Sequence, residues 1–211
     1  GYRWNQTRKT AIIGWEATQK NRIMRTILHS HSGDMAEIFQ LYREASAYQK
    51  AKKTVVVWPE FERSLVEGEI REKRQWKLLI EGEIACVWTI TFSDEQIWEE
   101  RDNEISLYIH RIATKPKFRG HNFVKVIVAW AKNYALETGR RFVRLDTLGN
   151  NLKLIEDYTG AGFEFLGMFN LQNTDQLPAH YQGVPACLFE IDLQKKKFSD
   201  SQVSEKPAGI T

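Results

Sequence analysis

A short basic turn between a predicted strand and a predicted helix has residue types that could bind a phosphate. The apolar run before Pro116 predicts a strand, and helical spacing begins close to Gly120. The first N–H groups of a helix lack internal partners and lie at the positive end of its dipole, so they can hold a pyrophosphate. Lys117 and Arg119 would add charge at the mouth. The pattern also fits an ordinary strand-turn-helix unit with solvated cations, because short glycine motifs often match by chance.

The elements that would position this turn alternate between strand and helix. Residues 107–114 are apolar and β-branched and predict a strand, and Phe142–Leu148 predicts the next one. A short helix follows Asn151 and ends in glycine, and a new strand follows Phe163. Between the two strands, helical spacing is carried by Phe123, Val124, Ile127, Val128 and Ala131.

This order of elements resembles the GNAT superfamily of acyl-CoA N-acyltransferases. The family pattern has a strand ending in a proline-containing loop, an Arg-Gly-x-Gly-x-Gly/Ala turn that opens a helix, and a second strand. An Asn then precedes a Tyr by seven residues, and a Gly-Phe follows. The matching residues are Pro116, Arg119, Gly120, Asn151, Tyr158, Gly162 and Phe163. The resemblance is close over 105–167 and looser over 24–193.

Two positions in the turn depart from the family pattern. Asn122 and Val124 stand where the family usually has its second glycine and then glycine or alanine. Asparagine tolerates unusual backbone angles better than most residues, so Asn122 is a mild change. The β-branched Val124 would either crowd the pyrophosphate or turn into the core.

The resemblance implies both a fold and an activity. The fold is α/β (α+β), a mixed, mostly antiparallel twisted sheet of about seven strands flanked by helices, with a splayed central strand pair. The implied activity is transfer of an acetyl group from acetyl-CoA to a primary amine, by direct attack through a tetrahedral intermediate. The acceptor would be a small-molecule or peptide amine, such as a polyamine, an aminoglycoside, an amino acid or a protein terminus. The alternative is a non-catalytic acyl-CoA-binding or interaction module on the same scaffold.

The resemblance also implies where coenzyme A would bind. The pantetheine arm would bond the backbone of the central strand from Ile112 to Thr114, and the pyrophosphate would lie on the N–H groups from Arg119 to Val124. Asn151 would hydrogen-bond the pantetheine arm. The cofactor-binding residues predicted in this way are Ile112, Ala113, Thr114, Arg119, Gly120, His121, Asn122, Phe123, Val124, Asn151 and Tyr158.

The implied reaction requires a neutral amine, a stabilised oxyanion and a proton for the leaving thiolate. By resemblance, Tyr158 would protonate the thiolate, which a phenol with a pKa of roughly 10 can do. His110 is the first choice as base because the pKa of an unperturbed histidine lies near neutrality. Tyr108 or Glu104 could take that role instead, ordered water could replace a dedicated base, and His110 could be a structural histidine within the sheet.

Strand alternation gives these side chains expected directions. Tyr108, His110 and Ile112 are predicted on one face of the central strand, and Ile109 and Arg111 on the other. The backbone N–H of Ile112, or of a neighbour in the strand, would serve as the oxyanion donor.

Three segments are candidates for the acceptor side. An acidic run between two strands would attract a cationic amine, although charge runs are usually solvated loops; its acids are Asp94, Glu95, Glu99 and Glu100. Trp58 and Phe61 are candidate wall residues, with core packing as the more common role of such pairs. His180 and Tyr181 lie in a polar loop that either borders the acceptor or faces solvent.

Composition narrows the class of protein. The 211 residues are 42% hydrophobic and suffice for one globular domain with a substantial core. A net charge of +3 gives no reason to expect a nucleic-acid partner. No apolar run approaches the ~18 residues that span a bilayer, and no signal peptide is evident, so a cytoplasmic setting without membrane contact is expected. Cys86 and Cys187 lie in apolar runs and are expected as buried thiols, with no metal site.

The chain is predicted to have three parts. Residues 24–194 form the acyltransferase domain, opening with a strand at 25–28 and a helix at Asp34. Pro59 would lie in the first turn of a second helix. Residues 1–23 would be an extension, namely an added strand, the arm of a homodimer or leftover upstream sequence, and 195–211 a polar tail.

Overall fold

The computed structural model describes residues 23–195, and these contain one seven-stranded sheet. Its spatial order is β1-β2-β3-β4-β5-β7-β6. The predicted fold class is confirmed. The predicted extension 1–23 and tail 195–211 lie, apart from residues 23 and 195, outside the described residues. The strands are β1 Arg25–His29, β2 Gln75–Ile80, β3 Glu83–Thr91, β4 Ser106–Thr114, β5 Phe142–Leu148, β6 Glu164–Phe169 and β7 Ala186–Asp192.

Five α-helices accompany the sheet in the described part of the chain. They are α1 Met35–Ala51, α2 Arg63–Arg71, α3 Glu95–Trp98, α4 Phe123–Glu137 and α5 Leu152–Gly160. The apolar side chains of α1 and α2 bury one face of β3 and β4, around Val87 and Ala113. Those of α4 and α5 pack in the larger cluster that contains Trp88, Ile109 and Phe189. No helix within 23–195 combines the length and apolar character needed to cross a membrane.

The central strands β4 and β5 run parallel and pair over a short stretch. The paired residues are Ser106 with Phe142, Leu107 with Val143 and Tyr108 with Arg144. Beyond Tyr108, β5 pairs with β7 along its whole length, while β4 continues beside β3. The predicted splayed pair is therefore present, and it leaves one backbone edge of each strand open toward a cleft.

A β-bulge interrupts β4 next to His110. Thr89 pairs with His110 and Val87 with Ala113, so Arg111 and Ile112 together face Trp88. Arg111 has φ 48°, in the left-handed region, which shifts the alternation of side chains by one residue. The predicted alternation is therefore wrong beyond the bulge. Ile112 packs in the same cluster as Ile109, and Arg111 turns toward α1 and α2.

Two predictions about helix starts differ from the structure, one in position and one in the capping residue. The second helix begins at Arg63 rather than around Pro59, which lies in the preceding irregular segment. Asp34 precedes α1 as expected, but its carboxylate does not cap the helix. It accepts the N–H of His31 at 2.9 Å and pairs with buried Lys77 at 2.7 Å.

Both cysteines are buried free thiols, as predicted. Cys86 lies on β3 and Cys187 on β7, and both belong to the main core cluster. Burial raises the pKa of the Cys86 thiol to about 12, so it behaves as a small apolar side chain.

Candidate active site

A cleft of about 1250 Å³ opens where β4 and β5 separate. Its lining includes the open half of β4, the end of β5, the N-terminus of α4 and one face of α5. Single-ligand pockets usually have volumes of about 300–1000 Å³, so this cleft can hold two substrates together.

The turn before α4 has the backbone geometry that a phosphate-binding turn needs. Gly120 has φ +88°, with open space where a Cβ would lie. Asn122 adopts the left-handed conformation, φ 53° and ψ 50°, and precedes the first helical residue, Phe123. An asparagine at the position of the expected glycine therefore keeps the backbone in a conformation that glycine favours.

Val124 turns into the protein rather than across the turn. It is partly buried and packs against the main core cluster that contains Phe123, and it also lies in the lining of the cleft. The side chain that departs most from the family pattern is thus accommodated by the core. The first N–H groups of a helix lack internal partners, and Phe123 and Val124 at the start of α4 line the cleft.

The charges around this turn differ in part from the prediction. Arg119 lines the cleft and lies 4.3 Å from the ring centroid of Tyr48. Lys117 does not line it, because its ammonium pairs with Glu83. Lys125, in the first turn of α4, is a further cation of the lining beside this turn. The side chain of His121, predicted among the cofactor residues, lies outside the lining and contacts the carbonyl oxygen of Phe118 at 2.9 Å.

The three residues after the bulge present open backbone to the cleft. Ala113 pairs with Val87 and Thr114 with Cys86 on the β3 side. On the other side β5 has already separated, and Ile112, Ala113 and Thr114 all line the cleft. Main-chain N–H and C=O groups at such an edge can bond an extended ligand as a further strand would.

His110 is the centre of a polar cluster in the cleft. Its Nε2 lies 3.1 Å from Thr91 Oγ1 and 3.5 Å from Asp94 Oδ2, and its Nδ1 lies 3.9 Å from Asp146 Oδ1. Burial, with smaller contributions from Arg111 and Arg74, lowers the pKa of His110 to about 3. In the free protein the imidazole is therefore neutral and can accept a hydrogen bond.

The two carboxyl groups of this cluster have raised pKa values. Burial, followed by the charges of Asp146 and Asp102, raises the pKa of Asp94 to about 8. Burial raises that of Asp146 to about 7. One ligand atom each from Asp94, His110 and Asp146 falls within 4.8 Å of the others, which is compact enough for all three to contact one cation.

Tyr158 projects from α5 into the same cleft. Its ring packs against Phe189 at 5.3 Å and Phe163 at 6.0 Å between centroids. Burial, and next the charge of Asp146, raises the pKa of the phenol, so the hydroxyl keeps its proton and is available as a donor. Asn151 caps α5, with Oδ1 accepting the N–H of Leu154 at 3.2 Å, and it also lines the cleft.

Tyr108, predicted as an alternative base, is not part of the cleft. It is fully buried, and its hydroxyl donates to Asp102 at 2.5 Å and accepts from Arg144 at 3.2 Å. The same Asp102 carboxylate accepts the backbone N–H of Asp94 at 2.8 Å and the hydroxyl of Ser93 at 2.7 Å. Tyr108 and Asp102 therefore hold the loop that carries Asp94.

The acidic run contributes a single carboxyl group to the cleft. Asp94 lines it, whereas the other three acids of the run are exposed and lie outside the lining: Glu95, Glu99 and Glu100. For those three the alternative interpretation holds, a solvated position outside the cleft. They belong to two short helices, α3 and the 3-10 turn after it.

Aromatic side chains form the wall opposite this cluster. Trp58 and Phe61 pack on the α1–α2 cluster, as core residues do, and they also line the cleft. His180 lies edge-on to Phe61 at 6.4 Å, and Tyr181 is beside it, so the polar loop borders the cleft. Arg111 lies over Phe61 at 5.0 Å and pairs with buried Glu69.

Asp146 is the site residue that the sequence prediction missed. It is the one acid in the apolar strand β5, two residues before the strand ends and beyond the point where β4 separates from it. An acid inside an otherwise buried strand is unusual and was the available signal. The role of Asp146 in the site depends on its proximity to His110 and Asp94, which come from distant positions in the chain.

Comparison with known proteins agrees with this architecture. The model of the acetyltransferase (GNAT) family matches residues 35–163, and the chain belongs to that family. A curated relative, the uncharacterized N-acetyltransferase YesJ of Bacillus subtilis, is 32% identical over 79 residues. That match covers 35% of this chain and 41% of the relative's length.

Solved structures of the same fold cover most of the chain. A GNAT-family acetyltransferase from Listeria monocytogenes has a TM-score of 0.66 and 21% identity, over 80% of this chain and 95% of that one. The putative acetyltransferase yncA of Salmonella typhimurium, solved with acetyl-CoA, has a TM-score of 0.59 and 11% identity. It covers 84% of this chain and 98% of its own. At these identities the likeness establishes the fold.

Proposed function

We propose that this protein is an N-acetyltransferase that uses acetyl-CoA to acetylate a primary amine by direct attack of the amine. The observation that carries the proposal is the separation of β4 from β5 after three residue pairs. This separation puts an open strand edge, His110 and Tyr158 around one cleft. A fold alone does not fix a function, so the proposal rests on these side chains and on the backbone they surround.

The residues of the cleft fit coenzyme A. A phosphate needs unpaired N–H donors with room beside them, and the open space at Gly120 before the start of α4 provides that room. Arg119 and Lys125 add positive charge there, and Asn151 has a side-chain amide nitrogen for the pantetheine arm. When bound in this way, acetyl-CoA would supply an acetyl thioester to the middle of the cleft.

Three groups of the chain would serve the transfer. The carboxylates of Asp94 and Asp146, with the neutral imidazole of His110 beside them, would take the proton that the acceptor amine must lose. The backbone N–H of Ile112, next to the bulge, would donate to the developing oxyanion. Tyr158, kept protonated by burial, would donate its proton to the leaving sulfur.

Two assays test the proposal. Calorimetric titration with acetyl-CoA should show binding, and thiol release from acetyl-CoA should depend on an added primary amine. No detectable acetyl-CoA binding would remove the enzyme hypothesis. Binding without thiol release across a broad amine panel would instead favour the non-catalytic acyl-CoA-binding module.

A further inference from the structure

Two buried carboxyl groups in the cleft have no strong cationic partner among residues 23–195. The side chain of Asp146 is 4% exposed and that of Asp94 is 14% exposed. Within the described part of the chain, no lysine or arginine nitrogen lies within 4.0 Å of either carboxylate, and His110 is their one basic neighbour. Asp94 Oδ2 is buried without a hydrogen-bond partner. Buried carboxylates are normally paired, so this arrangement is built to receive a cation.

The guanidinium groups nearby are committed elsewhere. Arg111 pairs with Glu69 and lies against the rings of Tyr42 and Phe61. Arg74 binds Glu72 at 2.7 Å and the carbonyl oxygen of Ile90 at 3.3 Å. Neither cation is therefore available to an anionic group that enters beside Asp94 and Asp146.

The raised pKa values of Asp94 and Asp146 agree with the lack of a lysine or arginine beside them in the described part of the chain. In the free protein, burial favours the protonated forms of Asp94 and Asp146, and the charge of Asp146 adds to this effect on Asp94. A cation bound between them would favour the ionised form of both. The lining also contains apolar and aromatic side chains such as Phe61, Leu177 and Pro178, which suit a carbon chain.

We infer that the acceptor is an alkyl primary ammonium without a carboxylate beside its nitrogen, and that its ammonium group lies between Asp94 and Asp146. This inference rests on the proposed function and narrows it. An α-amino acid would bring its carboxylate next to two buried acids that, among residues 23–195, have no lysine or arginine nitrogen within 4.0 Å. Like-charge contacts of this kind are strongly unfavourable at an interface. The site should therefore prefer amines without a neighbouring carboxylate over α-amino acids.

A matched acceptor series tests the inference through steady-state thiol release. Pentylamine, norleucinol and norleucine share one carbon chain and differ in the group beside the nitrogen: hydrogen, hydroxymethyl or carboxylate. We expect kcat/KM for norleucine to be at least about tenfold below the other two amines. Norleucine used as well as pentylamine would overturn the inference and leave the N-acetyltransferase proposal standing.

Two variants connect the preference to the residues. Asp146→Asn and Asp94→Asn should each raise KM for pentylamine by about tenfold or more and bring the norleucine and pentylamine values closer together. Glu95→Gln removes the same charge from an exposed neighbour of Asp94 outside the cleft, and it should change neither quantity. A general loss of folding lowers activity toward all acceptors, so it leaves the ratio unchanged. An unchanged ratio in both Asn variants would overturn the inference.

A metal ion is the competing occupant, and the assay separates it. Thiol release that EDTA abolishes and a divalent metal restores would show that the cluster holds a metal, and would overturn the inference. Activity that is indifferent to EDTA supports the ammonium. If acetyl-CoA binds but no amine is acetylated, the proposed function fails and the inference fails with it.

Discussion

The two halves of the cleft are built in different ways. The cofactor half, residues 112–124, is one continuous segment that offers mainly backbone groups to the cleft. The acceptor half consists of Asp94, His110 and Asp146, side chains from three elements that only the fold brings together. Backbone groups remain when side chains change, as Asn122 and Val124 show. A cluster of side chains is altered by a single substitution, so we assign the choice of acceptor to the acceptor half.

The largest expected effect falls where the two halves meet. Tyr158→Phe removes the proposed donor and should lower kcat by about 10²–10⁴-fold, while the dissociation constant for acetyl-CoA stays unchanged. Tyr134→Phe is a matched control, because this phenol lies on α4 outside the cleft lining and stacks on Trp130. Steady-state kinetics with calorimetry checks both variants. Undiminished turnover in Tyr158→Phe would remove this residue from the mechanism.

A change in the turn should affect the cofactor half alone. Gly120→Ala puts a Cβ on a residue with φ +88°, which strains the turn although the space beside it is open. We expect about tenfold weaker binding of acetyl-CoA by calorimetry, because the strain shifts the N–H groups that would hold the pyrophosphate. The KM for the acceptor should change little.

Gly139→Ala provides the control for that variant. Gly139 also has a positive φ, +69°, with no atom near a new Cβ, and it follows α4 away from the cleft. The two variants should lose similar stability, about 1–2 kcal/mol in thermal unfolding. Equal weakening of acetyl-CoA binding in both would contradict the assignment of the turn.

A change behind the acceptor half should have a smaller and selective effect. Asp102→Asn weakens the hydrogen bonds that hold the Ser93–Asp94 loop. The carboxyl group of Asp94 itself is retained. The KM for the amine should rise severalfold, with the acetyl-CoA dissociation constant unchanged. Steady-state kinetics with both substrates varied measures these KM values. Equal increases for the amine and for acetyl-CoA would contradict the assignment of this loop to the acceptor half.

The smallest expected effect is on stability as a function of pH. The folded-state pKa values of Asp94 and Asp146 lie above their ordinary value of 3.8, so the folded protein binds more protons than the unfolded chain. Stability should therefore fall as pH rises toward 8. Just above pH 6.5 the unfolded chain still protonates His110 in part, so this residue adds a smaller slope of opposite sign, which wild type and Asp146→Asn share.

The measurement is urea unfolding at pH 6.5 and pH 8. Between these values the wild type should lose about 1 kcal/mol more stability than Asp146→Asn does. The value of kcat/KM should change in the opposite direction to stability. It should rise with pH over this interval because the reaction requires the ionised carboxylates of the cluster. A wild type whose stability is flat or rising would contradict the protonation of the cluster.

The sequence was sufficient for the parts of the molecule that are local. The strand before Pro116, the turn at Gly120 and the order of the later strands depend on spacing within a few residues, and the family resemblance follows from them. The bulge at Arg111 was not predictable, because it depends on the register against β3. Asp146 was missed for a similar reason, since its partners lie on other elements.

The structure of a coenzyme A complex tests the central claim most directly. The account predicts electron density for the pyrophosphate on the N–H groups at the start of α4, from Arg119 to Val124. The pantetheine arm should follow the open edge of β4 from Ile112 to Thr114, with its sulfur beside the hydroxyl of Tyr158. Coenzyme A bound elsewhere, with the gap between β4 and β5 closed or empty, would contradict the account.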